Sequence, residues 1–285
     1  MKTLFYLCIA ACCLLSCKNN ENQKESDQVD HSKMNHDAMS QSDHQHMDHS
    51  DHKMNHPKLP YPKPVKYIFN AHGGIKTWDA MNNLCFQIDG KNGTETHTTD
   101  LKSRKAKIQA EQFALGYDGN EYWLSQEDSV FDSGRVKFYH NLMFYFYAMP
   151  FVLGDNGISY TDVPDIEIQG KTYKGIKTFF AMGVGLSEKD NYIMYLDKET
   201  NRLEWLAYTV TYGEDKLSND YSYIKYDKWQ DINGLRLPET LIWYSTKDGK
   251  PFEVRKELTF KNVTISETVL NESIFIVPKN AETIN

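Results

Sequence analysis

Between residues 18 and 63 the chain carries almost nothing from which a core can be built. Val29, Leu59 and Tyr61 are its exceptions in a run dominated by Asp, Glu, Lys, Asn, Gln, Ser, His and Met. Such a stretch cannot bury enough apolar surface to offset the entropy of ordering, so it is expected to stay disordered. It closes with Pro57, Pro60, Pro62 and Pro64, a short stiff extended segment. From about residue 65 the composition changes abruptly, which divides the chain into residues 1–16, a tether over 17–63 and one domain over 64–285.

The first sixteen residues read as a secretory signal peptide: Lys2, an apolar run from Leu4 to Leu15, a small residue, and then the polar Lys18-Asn19-Asn20. The apolar run falls short of the about 20 residues that a bilayer span needs. Its ending, Leu14-Leu15-Ser16-Cys17, resembles the lipobox of bacterial lipoproteins. That resemblance implies that Cys17 is lipidated and becomes the new N-terminus, anchoring the chain to a membrane of the cell envelope, with the outer membrane expected. An ordinary signal peptide or a short anchor is the alternative.

Of the five cysteines, Cys85 alone lies beyond this segment, so no intramolecular disulfide is expected once Cys17 carries lipid. Cys85, within Leu84-Cys85-Phe86-Gln87-Ile88, reads as a small buried strand residue. A net charge of −7 argues against a nucleic-acid partner, which calls for a basic face. A monomer is expected.

The domain opens with two short helical stretches, Val65–Ala71 and Gly74–Met81, around His72-Gly73-Gly74. Strands are then predicted over 84–89, 94–100, 103–109, 111–117, 120–125, 164–169, 171–180, 191–197, 202–212, 221–229, 235–245, 252–263 and 274–277. Turn signals separate them, among them Asp118-Gly119, Asn233-Gly234 and Asp248-Gly249. The fold class expected is mainly β with some helix (α+β): one curved antiparallel sheet or half-barrel with a few helices over its concave face.

One segment breaks the strand rhythm. Arg135 to Leu153 reads RVKFYHNLMFYFYAMPFVL and is apolar on nearly every side, so a helix over about Val136–Met149, ended near Pro150, must be largely buried. It either plugs the core or closes a hollow; in the second case Phe138, Leu142, Phe144, Tyr145 and Phe151 are the side chains expected to line a ligand.

These features together resemble an uncharacterised family of Bacteroidetes-type lipoproteins, the DUF6503 type. The residues that carry the resemblance are Ala71-His72-Gly73-Gly74, Trp78, Leu84 to Gly90, Met149 to Asp155, Tyr226-Asp227-Lys228-Trp229, Gly234 to Glu239 and Phe275-Ile276-Val277-Pro278. More weakly, the order of elements is similar to LolA/LolB-like carriers. The resemblance implies a curved antiparallel sheet over helices with lipid held in the hollow, and it supplies no catalytic constellation.

The densest chemical signal lies in the tether. Seven histidines and four methionines fall between His31 and His56, in a degenerate Met-(Asn/Asp)-His repeat. The candidate ligands are His31, Met34, His36, His44, His46, Met47, His49, His52, Met54 and His56, with Met39 between them. Imidazole suits copper, zinc and nickel, whereas thioether selects soft ions, so the mixture points to copper. A hydrophilic spacer is the bland alternative, although spacers favour Ser, Gly, Glu and Lys. Asp30, Asp43, Asp48 and Asp51 each precede a histidine and are suited to orient it.

In the domain, His72 before a glycine pair fits a helix C-terminus better than a reactive site. His97 sits in an exposed-looking Thr-rich strand, and His140 is expected to be buried and hydrogen-bonded. No G-x-S-x-G, H-E-x-x-H or C-x-x-C motif is present. The sequence therefore reads as an envelope protein that binds an apolar ligand or partner through its domain and copper through its tether, rather than as an enzyme. A hydrolase with a site near His72 and a purely structural envelope component are the competing classes.

Overall fold

A computed structural model describes residues 60–284, apart from 182–183, 185–188 and 212–217. The signal segment, Cys17 and all ten metal-ligand candidates of the tether lie outside the described residues.

The entry helices form as the sequence indicates, α1 over Lys63–Ala71 and α2 over Ile75–Ala80. Val65, Ile68 and Phe69 recur at helical spacing and turn one face of α1 inward. At its end Gly73 takes φ 101°, and a Cβ there would lie 2.0 Å from the Gly234 carbonyl oxygen. Only glycine permits both the backbone and the approach. The His72 carbonyl then accepts a hydrogen bond from the Arg236 amide at 2.9 Å, fixing the helix end to a hairpin.

Fourteen strands among the described residues form two open antiparallel sheets. The first is a meander of β1 (Asn83–Gly90), β2 (Gly93–Asp100), β3 (Ala106–Gln109), β4 (Phe113–Tyr117) and β5 (Tyr122–Gln126). The second runs through β6 (Ile158–Ile168), β7 (Lys171–Phe180), β8 (Tyr192–Asp197), β9 (Leu203–Tyr208), β10 (Ser222–Ile232), β11 (Leu235–Lys247) and β12 (Lys250–Thr259). The hairpin between β10 and β11 turns on Asn233 and Gly234 with φ 49° and 80°, as the Asn-Gly signal requires.

The mainly β, antiparallel class expected from the sequence holds, with the strands divided between two sheets that exchange at Phe260. The expected strand over 252–263 is two strands, β12 and β13 (Lys261–Ser266), and β13 leaves the second sheet to pair with β1 in the first. The expected strand at 274–277 is instead a 3-10 turn at Glu272–Ile274 followed by irregular chain. The closing strand is β14 (Glu282–Ile284), beside β5. The strand predicted at 164–169 begins six residues earlier, at Ile158, on the far side of a bulge between Val163 and Ile166.

The long helix expected over Val136–Met149 is broken. It comprises α3 (Val136–Tyr139) and α4 (Leu142–Tyr147), separated at His140 and Asn141, with 3-10 turns before and after. Asn141, at φ −126° and ψ 4°, leaves the helical region and lets α4 turn into the space between the sheets. There Tyr147 packs on Phe86 of β1 and on Phe260, with ring centroids 5.0 and 4.4 Å apart. On the other side Tyr226 of β10 donates a hydrogen bond to the Phe146 carbonyl at 2.7 Å. Burying aromatic side chains of this size contributes about 1.5–3 kcal/mol each, which makes α4 a principal link between the sheets. The main core consists of the inner faces of both sheets and these helices.

Candidate functional site

Among the described residues, a cleft of about 580 Å³ opens beside α4 on the inner face of the second sheet. Phe138 of α3 and Leu142, Met143 and Phe146 of α4 form one wall. Tyr192 of β8, Tyr208 of β9 and Trp243 of β11 form the other, with Val210 exposed at the mouth. Phe146 reaches across to Tyr208 and Trp243, with ring centroids at 4.9 and 6.0 Å. The volume falls in the range of about 300–1,000 Å³ common to small-molecule sites, and the lining is the apolar and aromatic kind such sites use.

Polar groups line it as well: Thr209 is buried, Asp190 and Ser222 are half-buried, and Arg255 and Lys256 are exposed. Asp190 accepts hydrogen bonds from the Thr211 amide and hydroxyl, both at 2.7 Å. The Lys256 ammonium lies 5.8 Å from the Trp243 ring centre. Burial raises the pKa of the Tyr192 and Tyr208 hydroxyls, so the walls stay uncharged at neutral pH.

Of the five side chains expected to line a ligand, Phe138 and Leu142 are in this cleft. Phe144 and Phe151 lie in the core at 2% and 0% exposure, and Tyr145 packs against it partly buried. Phe151 stacks on Trp78 at 4.9 Å, and Phe144 carries the Arg104 guanidinium over its ring at 5.1 Å. Phe144 is two residues from Leu142 in α4 and so lies on the opposite side of that helix, toward the core, while Phe151 lies beyond it in the 3-10 turn Phe151–Gly154. The second-sheet residues of the cleft were not legible beforehand: Tyr192, Tyr208 and Trp243 read as ordinary strand aromatics. The one signal was the abundance of tyrosine in those strands.

All three domain histidines are buried, and none lines the cleft. His72 sits at the end of α1 with Nδ1 2.9 Å from the Ile68 carbonyl and its ring 4.8 Å from that of Trp229. Burial pulls its pKa down to about 4. His140 is placed likewise, with Nδ1 2.8 Å from the Lys137 carbonyl and a pKa lowered to about 4 by burial. The exposed reading of His97 is corrected: its strand alternates, and His97 falls on the inner face, stacked on Phe86 at 4.8 Å. There Glu95 Oε2 lies 3.1 Å from His97 Nε2 and accepts a 2.7 Å hydrogen bond from the Tyr139 hydroxyl. Cys85 lies half-buried between the inward Leu84 and Phe86, with the Thr98 hydroxyl 3.7 Å from its sulfur. Among the described residues, no group of three or more His, Cys, Asp or Glu is placed to hold a metal ion. No helix of the described residues is long and apolar enough to cross a membrane.

No family model matches the chain, and no curated protein matches it. Among solved structures it is similar to a DUF1329 family protein from Desulfovibrio piger, at 11% identity and a TM-score of 0.43, covering 75% of this chain and 98% of that one. A LolA superfamily protein from Nitrosomonas europaea is similar at 11% identity and a TM-score of 0.38, over 68% and 88% of the two chains. A domain described as an outer membrane lipoprotein-sorting protein, from Vibrio parahaemolyticus, gives 10% and 0.35, over 72% and 96%. At these values the mainly β class rests on the two antiparallel sheets themselves.

Proposed function

We propose that the chain is a lipid-anchored envelope protein that holds an apolar ligand in the cleft between α4 and the second sheet. The observation that carries this reading is the cleft: aromatic and aliphatic side chains from α3, α4 and the second sheet line it, and its two cations, Arg255 and Lys256, are exposed. Binding is favoured over catalysis because the domain histidines are used in packing and lie away from the cleft. The Leu14-Leu15-Ser16-Cys17 ending supports anchoring through Cys17, with the DUF6503-type and LolA-like resemblances as context for an outer-membrane carrier.

The tether adds copper capture, supported by the interleaving of His31 to His56 with Met34, Met39, Met47 and Met54. Imidazole must be neutral to bind, so histidine ligation weakens below about pH 6 while thioether ligation persists. In the full chain, changing the four methionines to Leu should lower Cu(I) affinity far more than Zn(II) affinity, measured against a chromophoric chelator. Unchanged Cu(I) affinity would remove the thioethers from the site.

The carrier reading is tested by native mass spectrometry of the chain purified from membranes. A co-purifying apolar molecule lost in Leu142→Glu supports it; the same molecule retained in that variant contradicts it.

A further inference from the structure

Two consecutive residues of one strand, Arg255 and Lys256, both line the cleft. In a regular strand neighbouring side chains point to opposite faces, so this needs a cause. The register between β11 and β12 supplies one. Trp243 is opposite Lys256, but Tyr244 is opposite Val254, so Arg255 is the extra residue of a β-bulge. Bulges re-aim a side chain and occur beside functional sites. Among the described residues, neither Arg255 nor Lys256 makes an ion pair, although Lys228 of β10 pairs with the adjoining Glu257 at 3.9 Å. The cleft's acid, Asp190, keeps one negative charge and accepts hydrogen bonds from the Thr211 amide and hydroxyl, so the two cations outnumber it. The mouth of an apolar cleft therefore presents two cations held on one side by a backbone irregularity.

Resting on the carrier reading, we propose that the ligand is an anionic amphiphile, its chain against Phe146, Tyr208 and Trp243 and its carboxylate or phosphate head against Arg255 and Lys256. Partly exposed charge pairs of this kind contribute modestly, so the anion should bind about fivefold to tenfold more tightly than a neutral analogue of equal chain length.

The test uses the full chain with Cys17→Ser and the neutral fluorescent probe N-phenyl-1-naphthylamine. Dodecanoate, dodecyl phosphate and dodecanol are compared as displacing ligands. Both anions, or one of them, should displace the probe at about one-fifth to one-tenth the concentration of dodecanol. The anion that does so identifies a fatty-acid or a phosphate source. In Arg255→Gln/Lys256→Gln that advantage should disappear while dodecanol is unaffected. Lys247→Gln/Lys250→Gln removes the same charge from the far end of the β11–β12 hairpin and should preserve the advantage. Equal displacement by all three ligands in the parent chain would overturn the head-group assignment and leave the carrier reading standing. Loss of the advantage in the Lys247/Lys250 variant would overturn it too, by showing only a long-range field. Failure of all three to displace the probe would overturn the carrier reading as well.

Discussion

The first sheet turns Glu95, His97 and Thr99 inward beside Leu84, Phe86 and Ile88, whereas the second presents Met194, Leu196, Leu206, Ile224 and Leu241 to the interior. Both are antiparallel and largely follow sequence order, so topology does not separate them. Their inner chemistry does. In the first sheet Glu95 accepts from Tyr139 and bonds His97, so the polar groups satisfy one another and the face is closed. In the second, aromatic surface beyond Phe146 lines the cleft among the described residues. A satisfied polar face behaves as a strut, and an apolar face that lines a cleft is available for a ligand.

The largest effect should come from pH. His72 packs against Trp229 of the second sheet, and His140 against Tyr117 and Tyr122 of the first. Burial pulls both down to about 4 from an ordinary value near 6.5. Their neutral forms are favoured by folding, so stability is full above pH 6.5 and falls as the pH drops toward 4. Together they should remove on the order of 5 kcal/mol by pH 4.5, read from urea midpoints. His72→Phe and His140→Phe should each flatten that profile by a similar amount; a flat parent profile would show that neither histidine is held neutral.

Next in size is Phe86→Ala. Phe86 touches His97, Tyr147 and Phe260, and its truncation should cost about 3–5 kcal/mol. Because Phe260 joins the sheets, unfolding should remain a single transition by fluorescence and far-UV circular dichroism. Two separated transitions would mean that the sheets are independent.

Glu95→Ala leaves the Tyr139 hydroxyl and His97 without their carboxylate and should cost about 2–3 kcal/mol. Probe affinity at the cleft should not change, since the strut and the cleft are on different sheets. The smallest effect on stability should come from Leu142→Glu, under about 1 kcal/mol, because Leu142 is only half-buried at the cleft wall.

Much of this division can be traced to particular residues in the sequence. Turn signals such as Asn233-Gly234 and the alternation of Leu203 to Tyr208 place most strands, because they depend on local backbone geometry. The exchange of sheets at Phe260 was hidden, since β12 and β13 are separated by one apolar residue and read as a single run. The break at Asn141 was hidden for a related reason: apolar residues continue on both sides of it, and periodicity cannot locate a kink in a segment buried all round. Trp243 and Tyr208 as cleft walls depend on where α4 then settles against the second sheet, a tertiary fit outside any local pattern. Arg255 as a bulge residue depends on its register with Tyr244, which no local pattern records.

The comparison of the sheets reduces to one titration. N-phenyl-1-naphthylamine is titrated into the full chain carrying Cys17→Ser, and into its Leu142→Glu and Glu95→Ala variants. The account predicts saturable binding, weakened at least about tenfold by the charge introduced at the cleft wall and unchanged by Glu95→Ala. Binding that survives Leu142→Glu intact, or that falls equally with Glu95→Ala while both variants remain folded, would contradict it.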